Sequence, residues 1–280
     1  MYFSENSHNI NVNNISVSYI DEGPIHDQTI ILIHGFPLNK SMWDKQIEEF
    51  LHNYRVIAYD IRGHGNSDAG DVDFSIDLFV KDLLGLMDKL EIEKAIVCGF
   101  SMGGYIALNA IENYPERFNA LVLCDTNCTA DNAEGKDKRL KTIESIKEFG
   151  LELYVEESIK KLFAPVSFLI QLEEIMLVRD MIMKTSNQSV FKTLHALANR
   201  KATCSNLHKI KVPVHIMVGK EDEITPPEVA LSMHENIKGS TIHIINHAGH
   251  MSNMEKPKEF NNQFIEFLMN NSLIGKVKSI

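Results

Sequence analysis

The fold of this chain is indicated first by the stretch CGFSMGG, residues 98–104. It contains Gly-x-Ser-x-Gly directly after the apolar run 95–98 and directly before a helical pattern at 102–113. A serine in this context is typical of a nucleophile elbow, a sharp strand-to-helix turn that exposes the hydroxyl above a sheet. Glycines are needed there because side chains would crowd the strand and the helix. The pattern predicts that Ser101 is a nucleophile with strained backbone geometry, at the positive N-terminal end of a helix.

Strand-like segments recur on both sides of this turn. Residues 8–20 alternate with a period of two, and Asn13-Asn14 is the expected hairpin turn. The other segments are continuous apolar runs, which suit strands that are covered on both faces of a parallel sheet. These runs are Thr29–Ile33, Arg55–Tyr59, Lys94–Cys98, Ala120–Cys124, Val212–Val218 and Thr241–Ile245.

Helical patterns separate the strand-like runs. In residues 74–90 the apolar positions share one helix face. Prolines stand in the expected first turns of the last two helices. This alternation of strands and helices predicts a doubly wound α/β fold. The expected helices span 40–52, 74–90, 102–113, 226–236 and 257–270.

A long segment without strand-like runs interrupts the alternation between Cys124 and Val212. Because long irregular loops are uncommon unless functional, we interpret it as an inserted helical cap. We expect the α/β core to comprise residues 1–126 and 207–280 and the cap to comprise 127–206. The expected cap helices are Asp131–Phe149, Leu151–Phe163, Phe168–Met183 and Ser189–Asn199. Cap residues expected mainly to pack helices together are Phe163, Phe168, Met176, Met181, Met183 and Phe191.

A serine nucleophile needs a general base, and the base must lie in a loop near the C-terminal ends of the strands. His250 is the preferred candidate, because it follows a glycine in the loop after the run 241–245 and precedes the last helix. His247 is the competing candidate in the same loop. We expect His247 to be a loop residue without a catalytic role.

The base needs a carboxylate that orients the imidazole and stabilises its charged form. Asp222 is the first choice, in the loop after the run 212–218. Its neighbours Glu221 and Glu223 are expected to be solvated surface charges. Asp125, at the end of the run 120–124, remains an alternative acid.

The developing oxyanion needs two backbone N–H donors. One is expected from Met102, the residue after the nucleophile. The other is expected from Phe36, in the loop His34-Gly35-Phe36-Pro37-Leu38 that follows the run 29–33. Pro37 cannot donate a hydrogen bond but stiffens this loop.

Other motifs give little support for additional chemistry. The glycine-rich loop at 60–67 lacks the Gly-Lys-Ser/Thr ending of a phosphate loop, so Arg62 and Ser67 are interpreted as structural. No metal-binding spacing of His and Cys is present in the sequence. We therefore expect no metal and no cofactor.

The composition of the chain indicates which class of protein and which partners we expect. The chain has 280 residues, of which 44% are hydrophobic, and a net charge of −10, which disfavours nucleic acid as a partner. Neither a signal peptide nor a membrane-spanning run is visible in the sequence. The four cysteines are sparse, so we expect reduced thiols, with Cys124 and Cys128 buried, in a soluble cytoplasmic protein. A homodimer is compatible with these features.

Five motifs in order along the chain resemble the α/β-hydrolase superfamily, and within it the group of 3-oxoadipate enol-lactonases, cofactor-free haloperoxidase-type esterases and carboxylesterases. The resemblance implies an eight-stranded, mostly parallel sheet with a cap between the sixth and seventh strands. It also implies a triad of Ser101, Asp222 and His250, which favours Asp222 over Asp125. The motifs are His34-Gly35-Phe36-Pro37, Arg62-Gly63-His64-Gly65-Asn66-Ser67, Gly99-Phe100-Ser101-Met102-Gly103-Gly104, Gly219-Lys220-Glu221-Asp222 and Ala248-Gly249-His250.

These residues predict a serine hydrolase that cleaves a carboxylic ester, lactone or thioester through an acyl-enzyme at Ser101. Serine at this position disfavours the epoxide hydrolase and haloalkane dehalogenase branches of the superfamily, which use aspartate. Two alternatives stay open: hydrolysis of a carbon–carbon bond in a diketone on the same triad, and a small-molecule sensor with slow hydrolysis. Transfer of the acyl group to an acceptor other than water is open as well.

Overall fold

The computed structural model describes residues 3–25 and 28–274. In these residues eight strands form one sheet with the order β1-β2-β4-β3-β5-β6-β7-β8. The strands are β1 (His8–Val12), β2 (Ile15–Glu22), β3 (Thr29–Ile33), β4 (Arg55–Tyr59), β5 (Ala95–Phe100), β6 (Phe118–Cys124), β7 (Val214–Gly219) and β8 (Thr241–Ile245).

The sheet begins with the hairpin of β1 and β2. Asn13 and Asn14 have φ values of 48° and 64°, the left-handed region that asparagine tolerates in such turns. Strand β2 runs antiparallel to β4, and every later neighbour in the sheet pairs in parallel. Strands β3, β4 and β5 are buried along their whole length, as continuous apolar runs require. The predicted hairpin and mostly parallel sheet are confirmed.

Helices cover both faces of the sheet. On one face, α2, α3 and α9 contribute Leu83, Ile106 and Met233 to a large apolar core. On the other face, α1 and α11 contribute Phe50 and Phe264 to a second core. The predicted doubly wound arrangement is therefore present. The helices of these layers are α1 (Asp44–Phe50), α2 (Ile76–Lys89), α3 (Met102–Asn113), α9 (Pro227–Asn236), α10 (Ser252–Glu255) and α11 (Pro257–Asn270).

Further helices lie between β6 and β7, within residues 127–206, which we call the proposed cap. Helices α5 and α7 pack on the second core through residues such as Val155 and Val178. The predicted helix 168–183 is wrong in one respect. The helix is interrupted at Gln171, where φ is −132° and ψ is 45°. The helices are α4 (Ala133–Phe149), α5 (Leu151–Leu162), α6 (Ser167–Ile170), α7 (Leu172–Lys184) and α8 (Asn187–Ala198).

The cysteines depart from the sequence-based expectation. Cys128 and Cys204 form a disulfide across 76 residues, so the interpretation of Cys128 as a reduced buried thiol is wrong. The bond lies beside a backbone hydrogen bond of 2.8 Å from Thr203 N to Cys128 O. Cys98 and Cys124 are free and buried. Because disulfides are typical of oxidising compartments, the cysteines do not support a cytoplasmic location.

Within residues 3–25 and 28–274, none of the helices has the length and apolar content that a membrane crossing requires.

Candidate active site

Ser101 stands at the junction of β5 and α3, with φ of 50° and ψ of −114°. This conformation is rare for a residue with a side chain and is held by the surrounding structure. The Ser101 N–H donates to Cys124 O at 2.9 Å. Its carbonyl accepts from Gly104 N at 2.9 Å and from Thr126 Oγ1 at 2.7 Å. The turn is therefore bonded to α3, to the end of β6 and to the segment that follows β6.

The glycines around Ser101 stand where neighbouring atoms leave no room for a side chain. A Cβ at Gly99 would lie 2.4 Å from Gly103 O, and a Cβ at Gly103 would lie 2.3 Å from Ile33 O. A Cβ at Gly104 would lie 2.3 Å from Thr126 Oγ1. Each distance is too short for a non-bonded carbon, so these positions accept only hydrogen.

His250 and Asp222 lie in line with the serine. His250 Nε2 lies 3.0 Å from Ser101 Oγ, and His250 Nδ1 lies 2.8 Å from Asp222 Oδ2. His250 is 2% exposed and Asp222 is 3% exposed. Since an imidazole N–H on Nδ1 donates to the carboxylate, Nε2 is left to accept the serine proton. The structure thus brings these three predicted residues together.

Local hydrogen bonds hold the Asp222 carboxylate. Oδ1 accepts from Ile224 N at 2.8 Å and Thr225 N at 3.0 Å, and Oδ2 accepts from Thr225 Oγ1 at 2.7 Å. Burial raises the pKa of Asp222, but the facing His250 and the hydrogen bonds lower it more, so the net pKa lies below the ordinary value. Asp222 is therefore ionised at neutral pH.

Asp125, the alternative acid, lies close to this group but has other partners. Its Oδ1 accepts from Gly219 N at 2.8 Å, and its Oδ2 bonds to Ser252 Oγ. Burial and the neighbouring Asp222 charge raise the pKa of Asp125 well above the ordinary value, against the opposing effect of these bonds. Asp222 is thus the carboxylate that contacts His250.

Asp125, Asp222 and His250 are residue types that can bind a metal ion, and they lie close together. One ligand atom each of Asp125, Asp222 and His250 lies within 4.8 Å of the others. The oxygens and nitrogens involved already take part in the hydrogen bonds described above. The expectation that the protein uses no metal stays a prediction.

His247, the competing base, lies at the surface. Its side chain is 75% exposed, and its Nδ1 is 3.8 Å from Glu221 Oε1. Glu223 is exposed as well. None of the three side chains has a hydrogen bond to Ser101 or Asp222 within the described residues.

The loop that carries Phe36 passes next to Ser101. A Cβ on Gly35 would lie 3.1 Å from Ser101 Cβ, so the backbone approaches the nucleophile directly. His34 fixes this loop, because its Nε2 accepts from Ile61 N at 2.9 Å and its Nδ1 bonds to Gly35 O at 2.7 Å. Burial lowers the pKa of His34 well below its ordinary value, so the ring is neutral. Phe36 is followed by a cis peptide bond to Pro37.

Met102 is the first residue of α3, and the first N–H groups of a helix have no acceptor within that helix. Met102 directly follows Ser101 in the chain, and the loop that carries Phe36 passes next to Ser101. That the N–H groups of Met102 and Phe36 both donate to an oxyanion stays a prediction.

Phe36 also contacts the proposed cap. Its side chain packs against an apolar cluster formed by α4 and α8, which is separate from the two large cores. The cluster presents aliphatic and aromatic groups on the cap side of the Phe36 loop. Its members and their apolar neighbours include Ile143, Ile146, Leu151, Tyr154, Val190, Phe191 and Leu194.

The cap residues that the sequence analysis assigned to helix packing are mostly of that kind. Phe163 and Met181 are buried in the second core, and Phe168 and Met183 pack against it from partly exposed positions. Met176 differs, because it is 53% exposed.

The glycine-rich loop at 60–67 has structural contacts. Arg62 Nε donates to the buried Asp82 carboxylate at 2.7 Å. Ser67 Oγ accepts from Ser18 N at 2.9 Å and donates to Asp60 O at 2.7 Å. These contacts support the structural interpretation of Arg62 and Ser67.

Three residues with contacts to the site were missed by sequence motifs. Thr126 bonds to Ser101 O, Thr225 bonds to Asp222, and Glu255 bonds to Gly249 N next to His250. Thr225 had a detectable signal, since an aspartate often accepts from N–H groups two or three residues later in a turn. Thr126 and Glu255 act across the fold and leave no comparable local pattern.

The chain matches a known protein family over most of its length. Residues 28–257 match the family model described as the alpha/beta hydrolase fold. The chain therefore belongs to the α/β hydrolase family, and the resemblance of the five motifs is confirmed.

The chain is similar to individual proteins that are named as enol-lactonases and as an esterase. The chain is 30% identical over 249 residues to 3-oxoadipate enol-lactonase 2 of Acinetobacter baylyi, covering 88% of this chain and 91% of the relative. A thermophilic esterase from Thermogutta terrifontis has a TM-score of 0.89 and 31% identity, covering 94% of this chain and 98% of its own. The enol-lactonase from Burkholderia xenovorans has a TM-score of 0.87 and 25% identity, covering 94% and 100%. This protein is thus an enzyme of the α/β-hydrolase family with esterase and lactonase relatives.

Proposed function

We propose that the protein is a serine hydrolase that cleaves a carboxylic ester, lactone or thioester through an acyl-enzyme at Ser101. The observation that carries this proposal is the continuous pair of hydrogen bonds, 3.0 Å from Ser101 Oγ to His250 Nε2 and 2.8 Å from His250 Nδ1 to Asp222. A base within this reach of a serine hydroxyl, itself oriented by a carboxylate, is the arrangement that activates a serine nucleophile.

In the acylation step, Ser101 Oγ bonds to the substrate carbonyl carbon while its proton passes to His250 Nε2. The carbonyl oxygen becomes an oxyanion that accepts hydrogen bonds from the N–H groups of Phe36 and Met102. Collapse of this intermediate breaks the bond to the leaving alcohol or thiol, which takes the proton from His250. Asp222 remains ionised throughout and stabilises the imidazolium.

In the deacylation step, water replaces the leaving group on the same face. His250 accepts a proton from the water as the water oxygen bonds to the acyl carbon. His250 then returns the proton to Ser101 Oγ as the bond from Ser101 Oγ to the acyl carbon breaks and the carboxylic acid departs. The low pKa of Asp222 supports this cycle, because an ionised carboxylate favours the charged imidazole in both steps.

Phe36 is a partly buried apolar side chain in the loop next to Ser101, which supports a substrate with an uncharged, apolar group on that side of the scissile bond. Relatives named as an esterase and as enol-lactonases are consistent with ester and lactone substrates. We therefore infer a carboxylic ester or lactone with an apolar group as the substrate class.

The first prediction concerns Ser101. We expect Ser101→Ala to lower kcat/KM for p-nitrophenyl esters by about 10³-fold or more, because a triad acts as a unit. The measurement is hydrolysis of a series from acetyl to long acyl chains, in which the chain-length optimum sizes the acyl pocket. Ser232→Ala, at an exposed serine of α9, is the matched control and should keep wild-type rates. Full activity in Ser101→Ala would contradict the acyl-enzyme mechanism.

Assays of the same enzyme preparation with an ester, with a diketone and for ligand binding distinguish the proposed hydrolase from the two alternative functions. Cleavage of a diketone with no ester hydrolysis would replace this proposal with a carbon–carbon hydrolase on the same three residues. Tight ligand binding without turnover of either substrate class would favour a sensor.

A further inference from the structure

Glu255 is a buried carboxylate that bonds to two separate parts of the chain. It lies at the end of α10 and is 2% exposed. Its Oε1 accepts from Gly249 N at 2.8 Å, in the loop that carries His250. Its Oε2 accepts from Ala164 N at 2.8 Å and from Ser167 Oγ at 2.5 Å, both in the proposed cap. One side chain therefore joins the histidine loop to the cap.

The two segments also touch through their backbones. Met251 N donates to Leu162 O at 3.0 Å. A Cβ at Gly249 would lie 2.6 Å from Ala164 N, so no side chain fits between the segments at this point. The residues on either side of His250 are thus both bonded, Gly249 to Glu255 and Met251 to the cap backbone.

The cap side of this contact is held over several residues. In addition to the bonds from Ala164 and Ser167, Gln171 Nε2 donates to the backbone carbonyl of Glu255 at 2.6 Å. Ala164 lies before α6, Ser167 is its first residue and Gln171 directly follows it, and all three donate to Glu255. Ser167 is 1% exposed and Ala164 is fully buried, so water does not compete for these bonds.

We propose that Glu255 is a positioning residue for His250, and that it ties the placement of the His250 loop to the placement of the cap. The proposal rests on the proposed function, because it assigns a consequence for a His250-dependent reaction. Glu255 contacts neither substrate nor reacting atoms, and it acts through Gly249 and the backbone of the loop.

The role requires both carboxylate oxygens. Three donors converge on the side chain, and a carboxylate offers only acceptors. A glutamine at this position has one carbonyl oxygen and an NH₂ group, so at least one N–H or O–H would face another donor. The substitution Glu255→Gln therefore removes part of the contact with little change in size.

The test compares Glu255→Gln with Ser167→Ala, which removes only the bond from the Ser167 hydroxyl on the cap side. Glu266→Gln, at an exposed glutamate of α11, is the control for loss of charge. Active sites are counted by complete reaction with a fluorophosphonate, and kcat per reacted site and KM are measured with a p-nitrophenyl ester. Thermal unfolding of each variant is measured in parallel.

We expect Glu255→Gln to lower kcat per reacted site by about tenfold or more, since a displacement near 1 Å costs up to about 10²-fold. KM should change by less than about threefold, because the effect falls on the chemical step. Ser167→Ala should lower kcat by about two- to fivefold through the weaker cap contact. Glu266→Gln should match the wild type.

Three outcomes overturn the proposal. The first is a wild-type kcat per reacted site in Glu255→Gln, even if the protein melts at a lower temperature. The second is a rise in KM with kcat unchanged. The third is an unchanged kcat in Ser167→Ala, which overturns the proposal even if Glu255→Gln does not fold. A wild-type protein that neither reacts with the fluorophosphonate nor hydrolyses esters contradicts the proposed function instead.

Discussion

At the scale of single residues, two buried aspartates next to the same histidine have opposite properties. Asp222 accepts hydrogen bonds from His250 and Thr225, and its pKa lies below the ordinary value. Asp125 bonds to Ser252 and Gly219, and burial raises its pKa well above the ordinary value. The two pKa values are therefore shifted in opposite directions, and the two side chains have different hydrogen-bond partners, although both residues follow a strand of the parallel sheet.

We predict that the isosteric substitutions Asp222→Asn and Asp125→Asn differ strongly in effect. Asp222→Asn should lower kcat by about 10³- to 10⁴-fold, because an amide neither selects the imidazole tautomer nor stabilises its charge. Asp125→Asn should keep kcat within about fivefold, since an amide oxygen can accept from Gly219 N and its NH₂ can donate to Ser252. Steady-state hydrolysis of one ester by both variants is the measurement. Equal losses would contradict the prediction and show that Asp125 shares the role of Asp222.

Single residues were predictable where their role leaves a local pattern. Ser101 lies in a glycine-rich turn, and His250 follows a glycine in the last loop before a helix. The choice between Asp222 and Asp125 was not decided by the residues alone, because both follow a strand of the parallel sheet. Glu255 was not predictable, since its partners Ala164 and Ser167 are 91 and 88 residues away.

At the scale of elements, the strand–turn–helix around Ser101 depends on contact between three backbones. Gly103 in the first turn of α3 lies against the last residue of β3, and Gly99 at the end of β5 lies against Gly103. The helix therefore begins as close to the sheet as backbone atoms allow. This closeness positions the serine hydroxyl, and a larger separation would move it relative to His250.

We predict that Gly103→Ala destabilises the fold by about 2 kcal/mol or more, because the new methyl group would lie 2.3 Å from Ile33 O. Activity should fall with it as the first turn of α3 shifts. Gly135→Ala, in the first turn of α4, is the matched control, and its nearest contact would be 3.2 Å from Asp131 Cβ. We expect a change within about 1 kcal/mol there. Urea unfolding monitored by circular dichroism measures both, and equal midpoints would contradict the prediction.

Elements were predictable where one period dominates the sequence. The runs Thr29–Ile33, Arg55–Tyr59 and Thr241–Ile245 match β3, β4 and β8 residue for residue. Strands β3 and β4 are buried along their whole length, as continuous apolar runs require, whereas the edge strand β8 is only partly buried. The expected helix 168–183 is broken at Gln171, and the reason is tertiary. The Gln171 side chain bonds to Glu255 O, 84 residues away, at a point where the local pattern favours a continuous helix.

At the scale of the whole molecule, the disulfide and the buried carboxylate hold the proposed cap at two places. Cys128 and Cys204 join the segment after β6 to the segment before β7. Glu255 fixes the region around α6 to the histidine loop. Sequence spacing did not reveal this disulfide, because it links residues far apart in the chain and no local motif marks the pair.

We predict that reduction of the Cys128–Cys204 bond lowers the free energy of unfolding. For a loop closed by residues 76 apart, loop entropy gives an upper figure of about 4.5 kcal/mol. The measurement is thermal or urea unfolding with and without a thiol reductant. The double variant Cys128→Ser with Cys204→Ser should unfold as the reduced protein does and should not respond to reductant. A reductant effect that persists in the double variant would place its origin elsewhere.

The disulfide has a consequence for limited proteolysis. Cys128 lies near the start of the proposed cap and Cys204 near its end, at a sequence separation of 76. A protease that cuts the chain once at any peptide bond between these residues leaves each half holding one of the paired sulfur atoms. The nicked protein therefore stays a single covalent molecule of unchanged mass apart from the added water, and its halves migrate separately on a denaturing gel only when the sample buffer contains a thiol.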